Sequence, residues 1–299
     1  MFWISLQEER PHFFREGVKI ASVFGCFPMC MWNGGRLLPN DQCDSAFVEN
    51  VIRNINSKGI PIRYTFNSTD VQKSELEDPF CNYCMDAANN GMNEVIVASP
   101  VLEDYLRNKY PNFKYNSSTC KEIRNAGTIN KELEGDYETV VLDYNMNGQW
   151  DAIDTITDKS RLEVLVNAVC HPDCKRRTDH YKYVARNQRI QKKNRSLPAD
   201  RQIPVEDWYC EYGEHNNIYT IQKYSTFVST DDIWGEYIPR GIRNFKIEGR
   251  TAYLFSLIET YCYYMIKPEY VGQARLLLIK NLENMHVISV NKPRPSKWP

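Results

Sequence analysis

The sequence predicts an α/β protein, a TIM-type (β/α)8 barrel with an insertion after the sixth strand, and three observations carry that expectation. Short β-like runs alternate with helix-like stretches from Lys19 to the end, as repeated βα units around a parallel sheet require. The 299 residues suit one barrel of about 250 residues with an addition. The run Phe245-Lys246-Ile247-Glu248-Gly249-Arg250 alternates with period two, placing Phe245 and Ile247 on one face and Lys246 and Glu248 on the other. If helices cover the apolar face, the charged face looks into a barrel.

Eight strands are expected, beginning near Lys19, Ile60, Glu94, Phe113, Thr139, Leu162, Thr226 and Phe245. Between the first two, Asp44 is a candidate N-cap, and Val48, Val51, Ile52 and Ile55 share one helical face before Gly59 ends the helix. From Pro79 the spacing repeats with Cys81, Cys84, Met85 and Ala88, closed by Gly91. Residues 175 to 220 break the rhythm. They are polar, carry Pro198 and Pro204, and are too long for an ordinary connection, so they read as an insertion over the barrel mouth. Leu254, Leu257, Ile258 and Tyr261 mark a last helix, and residues 1 to 299 read as one barrel domain.

Composition narrows the class of protein. A net charge of −1 gives no global signature of a nucleic-acid or membrane binder. The interleaved charges of residues 1 to 17 do not form an export signal, and no run of about 20 apolar residues exists to span a bilayer. Ten cysteines without an export signal fit a reducing compartment, so the expected location is cytoplasmic.

In a barrel, working groups collect at the C-terminal ends of the strands. That rule nominates Arg63 and Asn67 on the second strand, Asp143 and Asn145 on the fifth, Asn167 on the sixth, and Lys246 and Glu248 on the eighth. Buried ions must be neutralised, so Arg63, Asp143, Lys246 and Glu248 should pair with one another or with a ligand. Arg36, in the turn Trp32-Asn33-Gly34-Gly35-Arg36, suits an anionic group. Cys81 and Cys84 lie on an apolar helical stripe and read as core packing. Cys170, Cys174 and Cys210 fall at the rim or in the insertion, where thiolates can hold an iron-sulfur cluster or zinc. Residues 175 to 195 hold nine Lys and Arg against one acid, Asp179, and are either a solvated helix face or a grip on RNA phosphates.

Three segments together resemble the collagenase-like peptidase family U32: Asn167 to Tyr181, including Arg176 and His180; Ser229-Thr230-Asp231-Asp232-Ile233; and Gly241 to Arg250. The resemblance implies a TIM-type barrel and either peptidase activity or iron-sulfur-dependent hydroxylation. By position, Cys170 and Cys174 are similar to the family's first cysteine pair and Cys210 to a later one, which implies a 4Fe-4S cluster. Lys246, Glu248 and Arg250 match its final strand. The family's peptidase signature, a glycine-rich segment with two cysteines ahead of a serine, is missing from this chain. The leading expectation is therefore an enzyme or enzyme subunit acting on an anionic substrate. Lys246, Arg63 and Arg250 would hold the anion, and Glu248 or Asp143 would exchange protons. A peptidase and a non-catalytic RNA-binding module are the alternatives; no protein partner is implied.

Overall fold

A computed structural model describes residues 1–35, 43–212, 217–249 and 254–289. It divides into two compact units, residues 21–252 and residues 1–20 with 253–299. The larger unit holds one seven-stranded parallel sheet, β1 (Val23–Gly25), β2 (Ile62–Phe66), β3 (Glu94–Val97), β4 (Lys114–Ser117), β5 (Thr139–Val141), β6 (Leu162–Leu165) and β7 (Asn244–Lys246). The helices in chain order are α1 (Phe2–Glu9), α2 (Ser45–Asn56), α3 (Pro79–Ala88), α4 (Pro100–Lys109), α5 (Ala126–Glu134), α6 (Trp150–Ile153), α7 (Arg177–Asn194), α8 (Ile218–Ile221), α9 (Thr230–Asp232), α10 (Leu254–Met265) and α11 (Val271–Asn284).

Each strand pairs with the next in sequence, so the sheet is wound in one direction. Side-chain contacts prove that it curls. Neighbouring strands are about 4.8 Å apart, which would set β2 and β6 roughly 19 Å apart in a flat sheet. Yet Arg63 Nη1 of β2 lies 2.6 Å from Glu163 Oε1 of β6, and Lys246 Nζ of β7 sits 3.9 Å from the ring centre of Phe24 of β1.

Local signals explain the helices on the outside. The Asp44 carboxylate caps α2 by accepting the Phe47 amide at 2.8 Å, and Val48, Ile52 and Ile55 turn inward. Asp78 caps α3 in the same way, and Cys81, Cys84, Met85 and Ala88 are fully buried. These faces pack on Tyr64, Phe66, Val95 and Val97 of the sheet. Each such side chain contributes about 1.5–3 kcal/mol.

Two expectations about the sheet change. The segment at Thr226 is not a strand: Phe227 closes a turn onto Tyr224, and Val228 donates one backbone bond to Val166, past the end of β6. β7 takes the β6 edge directly, Leu165 opposite Lys246, so no place remains between them. Among the described residues β1 and β7 share no backbone pairing, and the seven strands form a curled open sheet.

In the smaller unit, α10 is the helix expected from Leu254, but it is not the last, since α11 follows it. Phe14 and Ile266 form an antiparallel bridge, and the Phe13 and Tyr270 rings stack at 4.6 Å. No helix among the described residues is long and apolar enough to cross a membrane.

Candidate functional site

The strand parity that sends Tyr64 and Phe66 outward sends Arg63 and Thr65 into the curl. The interior consequently carries a polar belt that touches every strand. Thr139 of β5 donates to Asn116 of β4 at 2.7 Å, and Asn116 donates to Glu94 of β3 at 2.9 Å. Glu94 faces Arg63 Nε at 2.7 Å, as a contact of charges rather than an aligned hydrogen bond. Arg63 then reaches Glu163, whose second oxygen accepts from Lys246 at 3.4 Å. Burial alone would push the Glu163 carboxyl up, but Lys246 and Arg63 outweigh it and hold the group below the ordinary carboxylate range. Lys246 and Arg63, expected to hold an anion, each contact a buried carboxylate here. Glu94 and Glu163 were missed as their partners. Their signal was a lone acid inside each apolar run, Glu94-Val95-Ile96-Val97 and Leu162-Glu163-Val164-Leu165.

The second cluster lies past the ends of β4 and β5. Asp143, 1% exposed, ion-pairs with Arg177, the first residue of α7. Arg177 also donates to the Thr119 carbonyl at 3.1 Å and to the Tyr181 hydroxyl at 2.7 Å, and lies 4.2 Å from the Tyr144 ring centre. Burial works against its charge, but Tyr181, Tyr144 and Asp143 more than compensate and raise its pKa. Arg124, about one-third exposed, stands 3.6 Å from Asp143, 3.1 Å from Asp173 and 3.7 Å from Glu122. Asn145 joins the group, donating to Asp143 at 2.8 Å and accepting the Asp173 amide at 2.8 Å. The Tyr144 hydroxyl is buried with no hydrogen-bond partner among the described residues. Arg124 and Arg177 also escaped sequence reasoning, because an arginine in a loop or a basic run carries no mark of its partner.

The other predicted residues spread over the same end of the sheet. Asn67 accepts from Ser118 at 3.0 Å. Asn167 extends the β6–β7 ladder with its side chain, giving and receiving bonds of 2.7 Å with the Glu248 backbone. The Glu248 carboxylate accepts the Val169 amide at 3.4 Å and forms no ion pair with a cation among the described residues. His180 stacks on Trp208 at 4.9 Å, and Arg176 lies 4.4 Å from the Trp208 ring centre while donating to the Tyr209 carbonyl. Arg36 and Arg250 fall outside the described residues.

Cys170, Cys174 and Cys210 are half-buried thiols. Among the described residues no three His, Cys, Asp or Glu side chains converge as a metal centre would require. The three cysteines therefore do not fit the cluster that the sequence resemblance implies.

α7 packs against the loops that follow β1, β2, β4 and β5. Gln188 donates to the Cys30 carbonyl at 3.1 Å, Arg189 pairs with Glu75 and Asp70, and Lys192 pairs with Asp78. Gly35, at φ +80°, meets the α7 backbone so closely that a Cβ would lie 2.1 Å from the Val184 oxygen. Much of the basic run is thus spent on internal carboxylates. A surface cleft of about 310 Å³ beside α7 balances Lys182, Arg186 and Arg189 against Asp70, Glu206 and Asp207.

No family model matches the chain, and no curated protein matches it. Among solved structures the fold is similar to that of a U32 peptidase, with 15% sequence identity, 67% of this chain and 83% of that chain covered, and a TM-score of 0.43.

Proposed function

We propose that the protein is an enzyme, or the subunit of one, of the U32-like kind implied by the sequence resemblance, acting on an anionic substrate past the C-terminal ends of β4, β5, β6 and β7. The observation that carries this reading is the unfinished state of the rim. Asp143 is locked by Arg177, whereas Arg124 shares its charge with Asp173, whose side chain is 69% exposed. A substrate carboxylate or phosphate offers Arg124 two oxygens in a fixed fork and can replace that exposed partner at little cost. The orphan Tyr144 hydroxyl beside Arg177 points the same way, since an unsatisfied buried donor costs about 1–3 kcal/mol unless something fills it.

In this reading Arg124 binds the anion, Asp143 and Arg177 fix the floor, and Glu248 exchanges protons from the β7 end. Lys246 and Arg63 act as the frame beneath. The test is a titration of the whole chain with a panel of small carboxylates and phosphate esters. At least one should bind, Arg124→Gln should lower its affinity about tenfold or more, and Glu248→Gln should keep binding while losing turnover. Absence of binding across the panel, or wild-type affinity in Arg124→Gln, would discard the reading.

A further inference from the structure

Three thiols meet away from this rim cluster. Cys26 and Cys30 follow β1, and Cys81 is the third residue of α3. Cys30 Sγ lies 3.0 Å from Cys81 Sγ, and both side chains are wholly buried. Cys26, half-buried, lies four positions before Cys30 on the same loop and near enough to raise the Cys30 pKa. The Cys30–Cys81 pair ties together segments 51 positions apart in the chain.

We propose that Cys26, Cys30 and Cys81 form a thiol–disulfide exchange site that reduces a low-molecular-weight disulfide and keeps the oxidation as a buried Cys30–Cys81 disulfide. The order of steps follows exposure. Cys26, the accessible member, attacks the external disulfide as a thiolate, releases one small thiolate and is left in a mixed disulfide. Cys30 gives up its proton and attacks the Cys26 sulfur, expelling the second small thiolate and closing a Cys26–Cys30 bond. The Cys81 thiolate then attacks the Cys30 sulfur, the bond moves inward, and Cys26 leaves as a thiolate. Two protein thiols have been oxidised and one disulfide reduced to two thiols, the protons of Cys30 and Cys81 passing to the small thiolates.

The surroundings suit Cys81 to the last attack. Its sulfur accepts the Met31 amide at 3.2 Å and, with Cys30 as donor, the Cys30 S–H, in the first turn of α3 where the helix favours negative charge. Burial raises the pKa of both thiols, and at Cys81 the bond from Cys30 works against that rise. The two sulfurs must approach by about 1 Å to reach bonding distance.

The full chain, fully reduced, is incubated with oxidised glutathione, quenched in acid, alkylated and mapped by mass spectrometry. The expected product is a Cys30–Cys81 linked peptide pair, lost in Cys30→Ser and in Cys81→Ser. It should form about tenfold more slowly in Cys26→Ser, which leaves both buried thiols in place. Oxidation should raise the thermal midpoint by about 5 °C and reduction should restore it. The proposal fails if Cys30 and Cys81 remain alkylatable once Cys210 has become a mixed disulfide. It fails equally if the linked pair is Cys26–Cys30 with Cys81 still a thiol, or if Cys26→Ser oxidises at the wild-type rate.

Discussion

Inside the curled sheet, Arg63 and Lys246 meet Glu94 and Glu163, two cations and two carboxylates that largely satisfy one another. Past the ends of β4 and β5, Asp143 meets one buried guanidinium and one that is about one-third exposed, with further carboxylates competing for the second. Both regions bury charge, and they differ in closure. In the interior belt each cation faces a buried carboxylate and all four groups are nearly cut off from water, so its charges serve the fold. The rim keeps a cation in contact with solvent and, among the described residues, a hydroxyl without a hydrogen-bond partner, so its charges remain open to a ligand. Burial of ionic groups therefore does not by itself mark a site; a cation left within reach of solvent, as Arg124 is, does.

The largest effect should come from opening the interior. Glu163→Ala removes the buried carboxylate that Arg63 and Lys246 share, leaves Arg63 with Glu94, and should cost about 3–5 kcal/mol of unfolding free energy, read from urea denaturation. A loss below about 1 kcal/mol would mean that water reaches the belt. Arg177→Ala comes next, at about 3 kcal/mol, because Arg124 stays near Asp143. Freed from its anchor, the start of α7 should also become sensitive to limited proteolysis, while an unchanged digest would remove Arg177 as that anchor.

Acid sharpens the same contrast. The Glu163 carboxyl is held below its unfolded value, so its contribution to stability is complete above the unfolded pKa of about 4.3 and is lost as pH falls through the lower folded value. Denaturation midpoints measured from pH 6 downward should fall more steeply in the wild type than in Glu163→Gln. Parallel curves would mean that the carboxyl gains nothing from Lys246 and Arg63. The smallest effect belongs to Lys192→Ala, whose ammonium is half exposed over Asp78; it should cost less than about 1 kcal/mol and fade in high salt.

Much of the fold was legible in the sequence. The caps Asp44 and Asp78, and the apolar stripes behind them, are local and read directly. Six of the expected strand positions hold to within four residues among the first six of the sheet, and the last lies at Asn244 rather than Phe245. Thr226 misled because a β-branched and aromatic run scores as a strand whether or not an edge is available to pair with it. The site was half legible. Asp143 and Asn145 of the rim cluster followed from their places after a strand end, but Arg124 and Arg177 reach Asp143 from 19 and 34 positions away.

Neighbours along the chain are enough to set the helix caps, the two-residue alternation that turns Arg63, Glu94, Glu163 and Lys246 to one face, and the single direction of strand winding. Which charges meet, and whether the ring closes, depends on the assembled sheet. Pairing energy falls steeply with distance, and the distance between residues such as 63 and 163 is set by the curl of the whole sheet, which no local run of residues encodes.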